Sequence, residues 1–169
     1  MVKRVMVSSK QALTEDHAAF ISGGVSITAS SRDNRLIPSI SRVLACSVSA
    51  DRSQIRIFLV RSQSLQLLRD LSQSRMLAAV FSLPSSHRTL QIKGADAEQT
   101  EVLAEDFAIV EKVTAAFADD LCLLGYSREF ARAFQAYTRD DLVAIHFSPC
   151  ALFEQSPGPD AGKALELAL

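Results

Sequence analysis

Hydrophobic and polar residues alternate along several segments of the chain, the pattern of a β-strand with one buried face. In residues 88–95, for example, Leu90 and Ile92 share one face while Thr89 and Lys93 lie on the other. The pattern predicts six strands, at residues 25–30, 39–48, 55–60, 76–83, 88–95 and 142–147.

Two of these segments support more specific predictions. The long segment 39–48 is rich in serine and β-branched residues, and we expect it to form one continuous strand that begins near Pro38. The apolar run 76–83 is typical of a strand that is buried on both faces.

Apolar residues three or four positions apart indicate two helical segments in the second half of the chain. These segments are residues 103–121 and 127–137, and their regularly spaced apolar residues are Phe107, Val110, Val113, Phe117, Phe130, Phe134 and Tyr137. Because large apolar side chains at this spacing line one helix face, we expect these aromatic rings to lie in the core.

Two shorter helices are predicted in the first half. Residues 14–22 begin with Thr14 as a candidate N-cap and end at Gly23 and Gly24. The second helix lies between two strands, with Ser62 or Ser64 as its cap. Its buried side is expected to carry Leu65, Leu68 and Leu71.

The order of these elements predicts a mainly β domain of the α+β class, an antiparallel sheet curled into a barrel with helices packed outside. A chain of 169 residues fits a single domain, which we take to span residues 1–169. Residues 1–13 form an N-terminal segment and residues 154–169 a C-terminal segment containing proline and glycine. Within the latter we expect 155–162 to be an ordered turn.

Amino-acid composition restricts the class of protein and its expected cellular location. Hydrophobic residues make up 48% and charged residues 22%, which excludes a disordered or collagen-like chain. No apolar run approaches the roughly 20 residues of a membrane helix, so we expect no membrane span. Three widely separated cysteines and the absence of a signal-peptide pattern predict a reducing, cytoplasmic location.

Charge is distributed unevenly along the chain. Residues 1–93 hold 13 Lys and Arg against 5 Asp and Glu, whereas residues 94–169 hold 5 against 14. Either the basic part binds an anionic ligand, or the two parts attract each other within the fold or across a dimer. A nucleic-acid partner is not expected, because the arginines are scattered and the acidic part repels a polyanion.

Sequence motifs for nucleophilic, nucleotide-dependent or zinc-dependent catalysis are missing, and no metal site is predicted. In an extended strand Arg42 shares its face with Leu44 and Cys46, and Arg88 shares its face with Leu90. A buried guanidinium needs a partner, so each arginine should meet either an acidic side chain or a phosphate-bearing ligand. Cys46 is interpreted as a buried, unreactive thiol.

Four segments together resemble a known family. They are GGVSITASSRDNRLIPSISRVLACSV (23–48), IRIFLVRSQSLQLLRDL (55–71), MLAAVFSLPSSHRTLQIKGADA (76–97) and FEQSPGPDAG (153–162). Their order and spacing are similar to those of the flavin-binding split-barrel proteins related to pyridoxamine 5'-phosphate oxidase. The resemblance implies a six-stranded antiparallel split barrel that forms a homodimer and binds FMN at the interface.

The resemblance also implies the cofactor contacts. Arg42, Val43, Leu44 and Ala45 match the strand that lies along the flavin ring and supplies an arginine to its phosphate end. Arg61 and Ser62 match the turn where amides and polar side chains meet phosphate. Thr89 matches a polar contact to the ring, and Arg88 beside it is a further candidate.

The chain departs from the family pattern at three places. The basic pair at the start of the helix is replaced by Gln66-Leu67, and the lysine that closes the strand motif is replaced by Ser47. Phosphate binding then requires Arg61, Arg69 or a partner-subunit residue. The C-terminal arginine and histidine signature of true pyridoxamine 5'-phosphate oxidases is not visible, so that activity is not expected.

Three functions follow from the residues and the resemblance together. The first is an FMN-dependent oxidoreductase that acts on a small molecule. The second is a non-catalytic dimeric module that binds a flavin or haem, for which His87 or His146 is the candidate axial ligand. The third is a dimer without a cofactor.

Overall fold

The structure is a computed structural model that describes residues 11–168. In this range the helices are α1 (Glu15–Ile21), α2 (Leu65–Ser74), α3 (Ala104–Leu123) and α4 (Arg128–Phe134). The strands are β1 (Ser26–Arg32), β2 (Pro38–Val43), β3 (Ala45–Val48), β4 (Ile55–Val60), β5 (Leu77–Ser82), β6 (Thr89–Gly94), β7 (Glu98–Thr100), β8 (Leu142–Phe147), β9 (Ala151–Glu154) and β10 (Ala164–Leu165). Short 3-10 turns at Arg61–Gln63 and Arg139–Asp141 precede α2 and β8.

Two antiparallel sheets organise the fold. The six-stranded sheet has the order β10-β9-β6-β5-β1-β2, and the four-stranded sheet has the order β3-β4-β8-β7. Their facing side chains, among them Phe81, Ile57 and Phe147, form the main core. A second core lies between the four-stranded sheet and α3, around Phe58 and Val110. The described residues therefore form a mixed α+β fold.

The described residues contain ten strands in two sheets, so the predicted count of six strands is wrong. The alternating pattern found β1, β4, β5, β6 and β8 close to their observed bounds. It missed β7, β9 and β10, which have 3, 4 and 2 residues and are too short to carry a periodic pattern.

The predicted continuous strand 39–48 is broken at Leu44. Val43 pairs with Ile27 in the six-stranded sheet, whereas Ala45 pairs with Phe58 in the four-stranded sheet. The backbone N–H of Leu44 donates to the carbonyl of Phe58 at 2.7 Å, so the chain passes from one sheet to the other without a loop.

This break corrects the predicted face of Arg42. Before it, Ile40 and Arg42 lie on the exposed face of β2; after it, Leu44 and Cys46 are buried. Four consecutive residues, 43–46, are buried, which a single regular strand with one exposed face does not allow. The run 76–83 also differs from expectation, because burial alternates along β5 and its second face is only partly covered.

Of the two short helices in the first half of the chain, α1 begins as its sequence predicts, whereas α2 differs from its prediction. Thr14 caps α1 by accepting a hydrogen bond from the amide of His17 at 3.2 Å, as predicted. In α2 the buried leucines are Leu67 and Leu71, whereas Leu65 is exposed and Leu68 partly buried. Ser64 stands at the N-cap position but makes no cap bond.

Instead, Ser64 links α2 to the six-stranded sheet. Its hydroxyl lies 2.6 Å from the hydroxyl of Ser41 on β2 and donates to the carbonyl of Val60 at 2.8 Å. Both serines are buried, so their hydrogen bonds replace those they would make to water. This contact fixes the start of α2 beside β2.

Helices α3 and α4 form a hairpin, and α3 packs against the four-stranded sheet. Val110, Val113 and Phe117 of α3 are buried, as their spacing predicts. The aromatic residues of α4 are not: Phe130 is 49% and Phe134 is 39% exposed, which corrects the expectation of core rings. None of the helices within residues 11–168 is long and apolar enough to cross a membrane.

Residues 155–162 form most of the turn that joins β9 to β10. The amide of Gln155 donates to the carbonyl of Thr89 at 2.8 Å, and the amide of Gly162 donates to the carbonyl of Glu154 at 2.7 Å. The turn is thereby bonded to the first residue of β6 as well as to its own hairpin.

Candidate functional site

Arg42 lies on the exposed face of β2 and reaches the end of α4. Its guanidinium donates to the carbonyl of Phe134 at 2.5 Å, and its Cζ lies 3.3 Å from the centroid of the Phe134 ring. The cation thus meets both a π face and the negative end of a helix. The acidic partner that we considered for a buried Arg42 is not what it contacts.

The next three residues of the predicted cofactor strand point inward. Val43 is 2%, Leu44 is 3% and Ala45 is 0% exposed, and all three pack in the two cores. A ligand along this segment can therefore touch only their backbone.

Ser62 is already engaged by a carboxylate. Its amide donates to Oδ1 of Asp141 at 2.9 Å, and its hydroxyl donates to Oδ2 of the same residue. The neighbouring Arg61 is exposed and forms none of the ion pairs found among the described residues. The predicted phosphate-binding turn thus presents one free cation and two occupied donors.

Thr89 begins β6, and Arg88 directly precedes it. Arg88 forms an ion pair with Asp16 and lies over the ring of Phe20, with its Cζ 4.3 Å from the centroid. Of the two partners considered for Arg88, the acidic side chain is the one present. Hydrogen bonding to Arg88 lowers the pKa of the Asp16 carboxyl below its ordinary value.

Thr89 is held by hydrogen bonds on both sides. Its hydroxyl donates to the carbonyl of His87 at 3.0 Å and lies 2.8 Å from the hydroxyl of Ser82. Its amide donates to the hydroxyl of Ser156 at 2.9 Å. Thr89 therefore holds the hydroxyl of Ser82, a residue that lines an open pocket.

An open pocket of about 450 Å³ lies between the outer face of the six-stranded sheet and the α3–α4 hairpin. One wall is a series of rings: the Tyr126 and Phe130 centroids are 5.2 Å apart, and those of Phe130 and Phe134 are 5.9 Å apart. The opposite wall carries the polar residues Ser26, Ser82 and His87. Such a pocket suits a flat ring with polar atoms on one edge.

The register of the sheet brings this pocket to the predicted cofactor strand. Ile27 pairs with Val43, so Ser26 lies level with Leu44. Phe134 belongs both to the pocket wall and to the Arg42 contact. The pocket therefore runs beside the end of β2 and has a cation near one end. Sequence reasoning missed it because the rings of α4 were assigned to the core.

The two candidate haem ligands are placed differently. His87 is exposed at the pocket, in a left-handed conformation with φ of 60°. His146 lies on β8, level with Arg56 and Glu98, outside that pocket. Cys46 is buried, and burial raises the pKa of its thiol. Among residues 11–168 no group of three or more acidic, histidine or cysteine side chains forms a metal site.

Comparison with protein-family models and with curated proteins finds no match. Solved structures do match. HupZ of Group A Streptococcus is 11% identical, covers 89% of this chain and 99% of its own, and has a TM-score of 0.53. An F420 reductase is 12% identical, with 83% and 98% coverage and a TM-score of 0.50.

A third match comes from Clostridium acetobutylicum. It is a protein related to general stress protein 26, of the pyridoxinephosphate oxidase family, 8% identical with coverage of 83% and 84% and a TM-score of 0.47. The matches to HupZ and to the F420 reductase, together with the sheet order, confirm the resemblance to the split-barrel proteins related to pyridoxamine 5'-phosphate oxidase at the level of the fold alone.

The described residues fit the ring of FMN and one of its two expected phosphate contacts. The ring-lined pocket beside β2 fits a flat ring system, and Arg42 fits a phosphate group as a planar cation. The contact expected at Ser62 does not fit, because the Asp141 carboxylate already accepts both of its hydrogen bonds.

Proposed function

We propose that this chain binds FMN and acts as a flavin-dependent oxidoreductase on a small molecule. The observation that carries the proposal is the pocket of about 450 Å³ beside β2, with aromatic rings on one wall and Arg42 near one end. Flat rings stack favourably on aromatic side chains, and arginine binds phosphate oxygens through its planar fork. The fold belongs to a group of proteins that commonly bind flavins.

The chain's own residues have binding and positioning roles in this proposal. Phe130 and Phe134 form an apolar wall that excludes water from one face of a bound ring. The hydroxyls of Ser26 and Ser82 offer hydrogen bonds on the opposite wall, and Thr89 orients Ser82. When bound, FMN supplies the electron-transfer chemistry that these side chains do not provide.

Flavin titration tests the binding part. The purified protein should show visible flavin absorbance, or gain it with added FMN. Phe130→Leu should weaken binding of both FMN and riboflavin by about two- to ten-fold, because it removes one ring contact. Phe107→Leu is the matched control, since Phe107 packs at the second core away from the pocket. Failure of both flavins to bind the wild type contradicts the proposal.

A second measurement distinguishes a flavin-dependent oxidoreductase from a non-catalytic flavin-binding module. The flavin–protein complex is reduced with dithionite under anaerobic conditions and mixed with small acceptors such as quinones. An oxidoreductase should re-oxidise faster than free reduced flavin. A rate no higher than that of free flavin favours the non-catalytic binding module.

His87 supports a second candidate, a haem-binding module, because it is the histidine that borders the ring-lined pocket. Imidazole is a common axial ligand of haem iron. Titration with haemin distinguishes this candidate: a Soret band that shifts on binding, and that His87→Ala abolishes while His146→Ala retains it, favours haem. A spectrum equal to that of free haemin contradicts haem binding.

We also propose that the chain forms a homodimer. Leu36 is 68%, Ile37 is 52% and Ile40 is 72% exposed, and β2, which carries Ile40, is an edge strand of the six-stranded sheet. Exposed apolar side chains next to an unpaired edge are typical of an association surface.

A further inference from the structure

The carboxylate of Asp141 lies where the family resemblance puts a phosphate. It accepts two hydrogen bonds from one residue, at 2.9 Å from the Ser62 amide and in close contact with the Ser62 hydroxyl. An amide and a hydroxyl that converge in this way form a small anion-binding arrangement. In this chain the anion is a side chain of the chain itself.

The pairing of β4 with β8 brings the two residues together. Val60 at the end of β4 pairs with Leu142 at the start of β8, so the turns that contain Ser62 and Asp141 lie side by side. The contact joins residues 79 positions apart and follows from the register of two central strands. It is therefore a consequence of the fold rather than of a free surface side chain.

Electrostatics make this arrangement unfavourable for phosphate. Asp141 takes part in none of the ion pairs found within residues 11–168, so no arginine or lysine neutralises its charge directly. A phosphate that approaches Ser62 meets a like charge within a few ångströms and finds both donors in use. Binding there requires that the carboxylate moves away.

We propose that Asp141 is a specificity-determining residue that closes the Ser62 turn to phosphate and leaves Arg42 as the cation that attracts the phosphate end of a flavin. The flavin part of this statement rests on the proposed function. The part that concerns phosphate at Ser62 does not, because it follows from the Asp141 contact alone.

Inorganic phosphate tests that second part without any flavin. The Ser62 amide signal is followed by NMR while phosphate is added to the wild type, Asp141→Ala and the matched control Asp140→Ala. Asp140 carries the same charge and is exposed, and it makes none of the described hydrogen bonds or ion pairs. Ser62 is also exposed, so water solvates its donors in the Asp141→Ala variant.

Asp141→Ala should bind phosphate at least about ten-fold more tightly than the wild type and the Asp140 control. Equal phosphate binding by the wild type and Asp141→Ala overturns the inference, as does an Asp141→Ala amide that does not respond. If Asp141→Ala fails to fold, Asp141→Asn replaces it, since it keeps the shape and removes the charge. Its phosphate affinity should also exceed that of the wild type, and equality again overturns the inference.

Flavins then test the link to the cofactor. Asp141→Ala removes the like charge and frees the Ser62 donors, so it should raise affinity for FMN by about ten-fold. The affinity for riboflavin, which lacks the phosphate, should stay unchanged. Equal gains for both flavins overturn the specificity role. If no variant binds either flavin, the proposed function fails, and the phosphate titration still decides the role of Asp141 at Ser62.

Discussion

The guanidinium of Arg42 stacks on the ring of Phe134 and donates a hydrogen bond to the carbonyl of the same residue. One side chain thus ties β2 to the end of α4. Partial burial in this contact lowers the pKa of Arg42 from its ordinary value, yet a guanidinium stays charged near neutral pH. Among the described hydrogen bonds only Nη1 of Arg42 is used, by the Phe134 carbonyl, so other N–H groups of the guanidinium remain for an anionic ligand.

We expect Arg42→Ala to weaken FMN binding by about ten-fold to a hundred-fold, because a hydrogen bond to a charged group contributes roughly 1.5–3 kcal/mol. Riboflavin should be nearly indifferent to the change. Fluorescence titration of both flavins into wild type and variant measures the effect. Equal losses for the two flavins would show that Arg42 acts only by holding α4.

The homodimer is tested by sedimentation velocity at micromolar concentration, where we expect a mass of twice the chain. Ile40→Asp should shift the protein toward monomer, because Ile40 is 72% exposed on an edge strand and a charge there opposes burial. The control is Leu123→Asp, a similar change at the end of α3, where the side chain is 79% exposed. A wild type that sediments as a monomer refutes the proposal.

Gly24 should tolerate no side chain. A Cβ at this position would lie 2.4 Å from the backbone carbon of Ala116 in α3, so Gly24→Ala forces the helix away from β1. We expect a loss of about 1–3 kcal/mol in the free energy of unfolding, measured by urea denaturation. Gly23→Ala, where the nearest contact is 3.2 Å, should cost less. A larger loss at Gly23 would contradict the packing described.

His17 should make stability depend on pH. Burial lowers its pKa from the ordinary value of 6.5, outweighing the opposing effect of Asp16, and its buried Nδ1 has no hydrogen-bond partner within residues 11–168. The unfolded chain therefore binds the proton more readily, so stability falls as pH drops below about 6.5.

The comparison for this effect is His17→Gln, which does not titrate. Between pH 7.5 and 5.5 the melting temperature of the wild type should fall further than that of the variant. The acidic groups with lowered pKa values, such as Asp16 and Glu154, titrate below this window and do not obscure it. Parallel curves for the two proteins would contradict the assignment.

The three thiols should react at different rates with an aromatic disulfide reagent. Cys150 is exposed and should react first, and Cys122, which is partly buried, should follow. Cys46 is 1% exposed and burial raises its thiol pKa, so it should react only after denaturation. Rapid loss of all three thiols in the native protein would contradict the buried position of Cys46.

Sequence reasoning found the elements that are defined by their own periodicity. The strands β4 and β8 have the predicted bounds, and the buried row Val110, Val113 and Phe117 follows the predicted spacing. It failed where strand pairing, rather than the local pattern of residues, determines the structure. β9 has 4 residues and exists because it pairs with β6, and no local pattern marks the change of face at Leu44.

The candidate site was predictable only in part. The resemblance identified Arg42 and Ser62 as candidate site residues, but not the residues that they contact in the fold. Phe134 and Asp141 lie 92 and 79 residues further along the chain, so only the packing of α4 and the pairing of β4 with β8 reveal them. The ring-lined pocket was missed for a related reason, since helical spacing does not tell an outer face from a core.

The break at Leu44 has a consequence for unfolding. Because Val43 is paired in one sheet and Ala45 in the other, neither sheet can come apart without pulling on the same short stretch of backbone. Melting of one layer is thereby coupled to the other, and the two should lose structure in a single cooperative step. The amide hydrogens of β2 and β3 that pair with β1 and β4 should accordingly exchange with solvent together, in the same global opening.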